Sequence, residues 1–249
     1  MIDITHLSKT FNRGSSNEVK ALTAINLSIN AKEFVVIVGA NGSGKSTLLN
    51  AIAGSVSVEE GEIKIEGAEV THKKEYERSP WIAHIFQNPL AGTAPDLSIL
   101  DNLRLASLRS QPKKLHIGIN EKFRKQAQEK ISILGMGLEN KLDQAMGTLS
   151  GGQRQALTLV MSIMDTSKIL LLDEPTAALD PKSSQVLMEN ADKIISEYNL
   201  TALLITHSLK DAHTYGSRIL QMEEGKIIRD LNMDEKQQLS LTDLFQWFV

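Results

Sequence analysis

Apolar residues along the chain are grouped into short runs that predict strands, and these runs alternate with stretches of helical spacing. The run Phe34–Val38 contains only β-branched and aromatic residues, which is typical of a strand buried on both faces. Similar apolar runs occur at 169–172 and 202–206. Alternating apolar and polar residues at 1–7 and 22–29 predict two antiparallel strands. Strands that alternate with helices predict a parallel sheet covered on both faces.

Strand patterns are missing between residues 98 and 164, where apolar residues follow helical spacing instead. Ser98 and Asn120 stand where side chains cap helices, and a third helix is expected to begin near Gly151. We therefore expect a helical subdomain inserted into an α/β domain. The expected parts of the single domain 1–249 are a catalytic core with its β subdomain at 1–87 and 165–249, and the inserted helical subdomain at 88–164.

The sequence GANGSGKST at residues 39–47 lies between the Phe34–Val38 strand and an apolar helix pattern. This context indicates a phosphate-binding loop, because glycines let backbone N–H groups point at an anion and the helix start adds its positive dipole end. We expect Lys45 to reach the β- and γ-phosphates of a nucleoside triphosphate, and the Ser46 hydroxyl to bind Mg²⁺. The residues expected to contact the nucleotide here are Gly39, Asn41, Gly42, Ser43, Gly44, Lys45, Ser46 and Thr47.

Two carboxylates, Asp173 and Glu174, follow the apolar run at 169–172. Ligands of open α/β sheets bind at the carboxyl ends of the strands. We therefore expect Asp173 to hold Mg²⁺, directly or through a water, and Glu174 to polarise the attacking water. An Asp-Glu pair before a helix is common by itself, but here it accompanies a phosphate loop. The predicted fold class is α/β, with a P-loop NTPase (RecA-like) core, an antiparallel β subdomain and an inserted α-helical subdomain.

Composition and charge exclude several classes of protein. The net charge of −3 gives no overall attraction to nucleic acid. The lack of cysteine excludes disulfides, thiolate metal sites and cysteine nucleophiles. The sequence shows no signal peptide pattern, and no apolar run approaches the roughly 18–20 residues of a membrane span. We therefore expect a cytosolic protein whose role at a membrane depends on partners.

The sequence LSGGQ at 149–153 is, on physical grounds alone, the capped start of a helix. It matches the signature motif of the ATP-binding cassette family letter for letter, and the chain resembles that family from Ile2 to about Phe245. The resemblance implies that ATP and Mg²⁺ bind, with these further roles: Gln87 as Mg²⁺ ligand and sensor, Phe11 stacked on adenine, Asp180 in the D-loop, and His207 as the switch histidine.

The cassettes of this family dimerise head to tail, so the resemblance also implies partners. It implies a homodimer in the ATP state, in which Ser150, Gly151, Gly152 and Gln153 meet the γ-phosphate held by Lys45 of the other copy. It further implies separate transmembrane permease subunits, a solute-binding protein and no nucleic acid. The expected location is cytoplasmic, peripheral on the inner face of the cell membrane.

The stretches 87–94 and 149–159 resemble a bacterial subgroup of amino-acid importers, often for tryptophan or tyrosine. Gln155 and Ala156 depart from the commonest cassette pattern, which has an Arg-Val or Arg-Ala pair after the signature, and 160–162 replaces an Ala-Arg-Ala run. The expected function is ATP hydrolysis coupled to import. The alternative is a non-transport cassette ATPase acting on DNA or ribosomes, although such chains usually carry long coiled-coil insertions or a second cassette. A third interpretation is a phosphoryl-transferring kinase with the same nucleotide-binding fold, but it would give residues 149–153 no role.

Two surface features have simple interpretations. The basic residues of the helical subdomain predict a solvent-exposed face, with a face near anionic lipid headgroups as the alternative: Arg104, Arg109, Lys113, Lys114, Lys122, Arg124, Lys125 and Lys130. The apolar residues near the C-terminus predict a last helix docked on the core rather than a dimer contact: Leu241, Leu244, Phe245, Trp247 and Phe248.

Overall fold

A computed structural model describes residues 1–88, 90–109 and 118–247, whose strands form two sheets. An antiparallel sheet contains β1 (Ile2–Phe11), β2 (Val19–Ile29), β4 (Glu60–Ile65) and β5 (Ala68–Glu69). A larger sheet contains β3 (Phe34–Val38), β6 (Ile82–Ile85), β7 (Ile169–Asp173), β8 (Thr201–Ile205), β9 (Arg218–Glu223) and β10 (Lys226–Leu231). The strand orders are β2-β1-β4-β5 and β10-β9-β3-β8-β7-β6.

Nine helices are assigned within the described ranges: α1 (Lys45–Ala53), α2 (Glu75–Arg78), α3 (Ile99–Ser107), α4 (Glu121–Ser132), α5 (Gly151–Ser162), α6 (Pro181–Glu197), α7 (Leu209–Thr214), α8 (Met233–Gln237) and α9 (Leu241–Gln246). Between β6 and β7 the described residues form helices, turns and one isolated bridge, as the spacing predicts. None of the helices in the described part of the chain has the length and apolarity to cross a membrane.

The larger sheet is parallel except for its β9–β10 hairpin. Strand β3 pairs in parallel with both β8 and β9, and β7 pairs in parallel with β8 and β6. Val36 and Val38 of β3 pack into the core on one face of the sheet, whereas Val35 and Ile37 pack on the other face with α1 and the antiparallel sheet. A parallel sheet is stable only when both faces are covered, which explains the uninterrupted apolar run of β3.

Polar side chains begin the helices at the predicted positions. Ser98 accepts from the backbone N–H of Asp101 at the start of α3, and Asn120 accepts from that of Phe123 at the start of α4. These side chains satisfy backbone donors that have no partner inside the helix. The predictions of both caps are therefore confirmed.

Arg78 holds the end of α1 and has no counterpart in the sequence predictions. Its side chain is buried, and its guanidinium donates to the carbonyl oxygens of Ala51, Ile52, Thr71 and Lys73. Burial lowers the pKa of Arg78 to about 10. A cation at a helix C-terminus binds the carbonyl groups that the helix leaves unpaired.

The C-terminal helix docks on the core, as predicted. Leu244 of α9 is buried, and the backbone carbonyl of Trp247 accepts from Gln221 Nε2 at 3.1 Å. The Arg229 guanidinium lies 4.9 Å from the centre of the Trp247 ring. Leu241 and Phe245 remain exposed, and Phe248 lies outside the described residues.

The prediction of a solvent-exposed basic face is wrong for Arg109 and Lys130 among the basic residues that the structure describes. Lys122 and Lys125 are exposed. Arg109 and Lys130 are half-buried, and their charged ends donate to the carbonyl oxygens of Met161 and Ile163. Long basic side chains can bury their apolar stems while the charged end keeps polar partners. Arg104 and Arg124 are also half-buried, and Lys113 and Lys114 lie outside the described residues.

His84 of β6 gives the fold a testable dependence on pH. Both ring nitrogens are buried without a hydrogen-bond partner among the described residues, and burial lowers the pKa of His84 from 6.5 to about 4. The unfolded chain therefore takes up a proton more readily than the folded chain between these two pH values. We expect the free energy of unfolding to fall by about 3 kcal/mol between pH 6.5 and pH 4, and this group to have no effect above that window.

Urea unfolding across this pH range measures the effect. His84→Met should remove this part of the slope because it keeps an apolar side chain of similar length without a titrating group. His72→Met is the control, since His72 is exposed. An unchanged slope in His84→Met would show that other groups cause the acid instability.

Candidate functional site

The loop between β3 and α1 has a shape that requires glycine. Gly39 adopts a φ of 145°, and a Cβ atom at this position would lie 2.2 Å from the carbonyl oxygen of Met222. Gly44 adopts a φ of 100° at the start of α1, where a Cβ would lie 2.3 Å from the carbonyl oxygen of Ala21. Neither position can hold another residue without moving the backbone of a neighbouring strand.

The hairpin between β9 and β10 supports this loop from behind. The backbone N–H of Gly225 donates to the carbonyl oxygen of Ser43 at 3.0 Å. The carbonyl oxygen of Gly225 accepts from the N–H of Thr23 in β2 at 2.9 Å. One residue of the hairpin thus connects the loop to the antiparallel sheet.

Lys45 lies folded over the loop that precedes it. Its Nζ donates to the carbonyl oxygens of Gly39 and Ala40 at 2.8 and 2.9 Å, and the residue is 5% exposed. Burial lowers the pKa of Lys45, while the nearby carboxylates of Glu174 and Asp173 act in the opposite direction. These two hydrogen bonds hold the ammonium group in place, and the group has a third N–H to donate.

Asp173, the last residue of β7, contacts Ser46 of α1 at the end of the sheet. The Ser46 hydroxyl donates to Asp173 Oδ1 at 3.1 Å, and Asp173 pairs with Ile205 at the end of β7. Burial raises the pKa of Asp173, although the Ser46 hydrogen bond and the Lys45 charge partly offset this effect. A hydroxyl and a carboxylate from two separate elements are thus brought together.

Glu174 and His207 form the next contact along the same edge. His207 Nε2 lies 2.8 Å from Glu174 Oε1, within hydrogen-bonding distance. Glu174 adopts a φ of 47°, and its backbone N–H donates to the carbonyl oxygen of Ile205 at 3.1 Å. The backbone of β8 therefore fixes where the Glu174 side chain leaves the sheet.

The residues at this edge fit a bound phosphate and a magnesium ion. No side chain caps α1, and its first turn contains no acidic residue, so its first N–H groups are available to an anion. Within the described ranges no group of three or more His, Cys, Asp and Glu could hold a metal without other ligands. Mg²⁺ commonly takes one or two protein ligands and completes its shell with water and phosphate oxygens, which suits Ser46 and Asp173.

Other residues predicted to contact the nucleotide or Mg²⁺ lie near the ends of β6 and β1, in the glycine loop and in α1. Gln87 is exposed two residues beyond the end of β6, which is the neighbour of β7. Phe11 ends β1 with 38% of its surface exposed, and Lys9 Nζ lies 5.0 Å from its ring centre. Asn41 and Gly42 are exposed in the loop, whereas Ser43 is buried and Thr47 half-buried.

The signature residues begin α5, beside α6 rather than within the phosphate loop. Ser150 is exposed and accepts from the backbone N–H of Gln153 at 3.3 Å. A Cβ atom at Gly152 would lie 3.1 Å from Ser183 Cβ. Asp180, also exposed, caps α6 by accepting from the backbone N–H groups of Lys182 and Ser183.

Two buried polar residues of α5 had no predicted structural role. The Arg154 guanidinium donates to the carbonyl oxygens of Met146, Gly147 and Leu149, which hold the segment before the signature. Gln155 Nε2 donates to the carbonyl oxygen of Phe86, outside the helix. The signal that could have found them is a polar pair followed by a largely apolar helix, because buried polar groups require partners.

Comparison with known proteins gives consistent results. The family model described as ABC transporter matches residues 22–177. The chain is 37% identical over 248 residues to a tyrosine transport ATP-binding protein of Clostridioides difficile (strain R20291), covering 100% of this chain and 98% of that protein. It is 33% identical over 238 residues to the phosphonates import ATP-binding protein PhnC of Lactococcus lactis subsp. lactis (strain IL1403), covering 92% of each.

Solved structures of cassettes share the fold. The dimeric structure of MJ0796, a bacterial ABC transporter cassette, has a TM-score of 0.80 and 30% identity, covering 94% of this chain and 99% of that chain. A dimeric post-hydrolysis state of the same cassette, bound to ADP and Pi, has a TM-score of 0.79 and 29% identity over the same shares.

The glycine loop on β3, with the carboxylates at the end of β7, defines a P-loop nucleoside triphosphatase. The family match covers more than half of the chain, and a relative above 30% identity spans all of it. The chain therefore belongs to the ABC transporter family, as an ATP-binding cassette with ATPase activity. The predicted fold class and the prediction of a cassette ATPase are both confirmed.

Lys45→Ala tests the phosphate loop. The side chain is the cation that the loop holds in place, and loss of a hydrogen bond to a charged group costs about 1.5–3 kcal/mol, so ATP affinity should fall roughly 10- to 150-fold. Titration calorimetry with ATP measures this loss. Lys20→Ala is the control, because Lys20 is exposed on β2. Wild-type affinity in Lys45→Ala would contradict the proposed contact.

Proposed function

We propose that this chain supplies ATP hydrolysis to a bacterial importer of amino acids or a similar small solute. The full-length similarity to a tyrosine transport protein supports the solute class, and the similar phosphonates import protein supports the direction of transport. The observation that carries the catalytic part is the cluster at one sheet edge, in which Ser46 contacts Asp173 and Glu174 contacts His207. The names of these relatives give no support to an ATPase acting on DNA or ribosomes.

In this proposal the nucleotide lies on the loop and the start of α1. Lys45 binds the β- and γ-phosphates, and Phe11 stacks on the adenine ring because its side chain is exposed at the end of β1. Ser46, Asp173 and Gln87 hold Mg²⁺, which neutralises the phosphate charge when it is bound. The backbone of the loop surrounds the phosphates through Gly39, Asn41, Gly42, Ser43, Gly44 and Thr47.

Glu174 orients the attacking water, and His207 positions Glu174. A hydrogen bond from His207 Nε2–H to Oε1 would leave the other carboxylate oxygen to accept from water. The left-handed backbone of Glu174 supports this role, because strained conformations often occur where a side chain must be aimed precisely. Lys45 would then stabilise negative charge on the γ-phosphate oxygens in the transition state.

The active form would be a head-to-tail dimer of two copies. Ser150, Gly151, Gly152 and Gln153 complete the site of the other copy, and Asp180 lies beside them at the interface. The similarity to a cassette solved as a dimer supports this arrangement. The further partners are separate transmembrane permease subunits and a solute-binding protein, which place the chain on the cytoplasmic, inner face of the cell membrane.

Glu174→Gln tests the catalytic proposal. The amide keeps the shape of the side chain but cannot act as a base, so ATP turnover should fall about 10²–10⁴-fold while ATP binding remains. Phosphate release measures turnover, and gel filtration with ATP and Mg²⁺ should show a trapped dimer. Glu197→Gln, at the exposed end of α6, is the control.

Uptake of radiolabelled tyrosine, tryptophan and methylphosphonate by cells with the cognate permease then tests the solute class. Uptake of an amino acid that depends on wild-type Glu174 supports the proposal. Normal hydrolysis by Glu174→Gln would exclude the role of this residue, and uptake of methylphosphonate alone would exclude the solute class.

Ser150→Arg tests the dimer. Ser150 would meet ATP only across the interface, so ATP binding to one copy should be unchanged while hydrolysis stops, because the arginine prevents close approach of the two surfaces. Mixing this variant with Lys45→Ala should restore part of the activity, since one complete composite site can form. Ser240→Arg removes an equivalent helix cap on α9 and serves as the control. Full activity of Ser150→Arg alone would rule out the composite site.

A further inference from the structure

Gln155 connects the signature helix to the loop that carries Gln87. Its side chain is 1% exposed, and Nε2 donates to the carbonyl oxygen of Phe86 at 2.9 Å. Phe86 is the residue directly before Gln87, just beyond the end of β6. The bond therefore joins two segments that are 69 residues apart in the chain.

Hydrogen bonds join the first turns of α5 to the signature and to the residues before it. Ser150 caps the helix, and the neighbouring Arg154 fixes the three carbonyl groups before it, so Gln155 is rigidly placed relative to Ser150. Packing alone does not require an amide at this position, since most neighbouring positions of α5 hold apolar side chains. A buried amide persists where its hydrogen bond has a specific partner.

We propose that Gln155 is a positioning residue that couples the two nucleotide sites of the dimer. The inference rests on the proposed function, in which Gln87 faces the copy's own nucleotide while Ser150 meets the nucleotide of the other copy. If Gln87 moves towards bound Mg²⁺, the carbonyl group of Phe86 would move with it. The hydrogen bond from Gln155 would then change the orientation of the start of α5. The hydrogen bond from Gln155 to Phe86 is the polar link between these two segments, and the coupling is proposed to pass through it.

The neighbours of Gly151 and Gly152 explain why a change at Phe86 would reach the signature. Gly151 and Gly152 lie close to Leu179 and Ser183, so these two neighbours limit how the signature end of α5 can move. A small change at Phe86 is thereby delivered to the signature rather than spread through α5. Coupling between two sites is measured as cooperativity, with a Hill coefficient limited by the number of sites.

Two variants without a donor test the proposal, Gln155→Met and Gln155→Leu, so that the result does not depend on one of them folding. Each should bind ATP as a single copy within about twofold of wild type, but lower kcat about tenfold and reduce the Hill coefficient of ATP hydrolysis from near 2 towards 1. Gln155→His should restore much of the coupling, because its Nε2–H can reach the same carbonyl.

Thr158→Val is the matched control. Thr158 is buried one turn further along α5, and its hydroxyl donates to the carbonyl oxygen of Gln155 within the helix. This variant should lower the melting temperature without changing the Hill coefficient. A purely structural Gln155 would instead behave like Thr158, with reduced stability and unchanged cooperativity, and that result would overturn the proposal.

The same measurements separate this inference from the proposed function. Wild-type hydrolysis that is hyperbolic in ATP, together with no ATP-dependent dimer in Glu174→Gln, would refute the dimer and the coupling together. A cooperative wild type with equally cooperative Gln155→Met and Gln155→Leu would refute the coupling alone. Cooperativity lost in both variants and regained in Gln155→His supports it.

Discussion

The parallel pairing of β3, β8 and β7 is the constraint on which the site depends. Asp173 lies opposite Ile205, and Ile37 also lies opposite Ile205, so all three strands end at one level. Their side chains are buried on both faces, and a slip of one residue would exchange the residues that pack on each face. Hydrophobic burial therefore determines the register, and the register places Gly39, Glu174 and the residues after β8 along a single edge.

Two carboxylates and one ammonium group lie close enough at this edge to influence one another's pKa. Burial raises the pKa of Asp173 and lowers that of Lys45, and the attraction between the two groups opposes both effects. Such an arrangement stores unfavourable desolvation that a phosphate and a divalent cation can relieve. The polar groups are also oriented in advance, since Lys45 is held by the loop and Glu174 by its backbone, so little reorganisation remains when the ligand binds.

Elements could be predicted from the sequence alone where their pattern lies within a few neighbouring residues. The strand β3, the glycine loop and the caps at Ser98 and Asn120 each show a recognisable pattern within a few residues, although distant strands complete the first two. Short elements such as β5, α2 and α8 contain two to five residues, too few to show a period. The partners of Arg78 and Gln155 are distant in the chain, and two of the basic residues predicted to be exposed, Arg109 and Lys130, donate to carbonyls of other elements. Such tertiary contacts leave no local pattern.

The bond between Gly225 and Ser43 has a consequence for the order in which the protein matures on the ribosome. The phosphate loop is translated early, but the hairpin that supports it from behind follows about 180 residues later. A nascent chain that ends before β9 therefore contains the whole glycine motif without the backbone contact that completes its shape. Nucleotide should stabilise the emerging protein only at a late stage of synthesis, so chaperones rather than ATP would protect the first half of the chain.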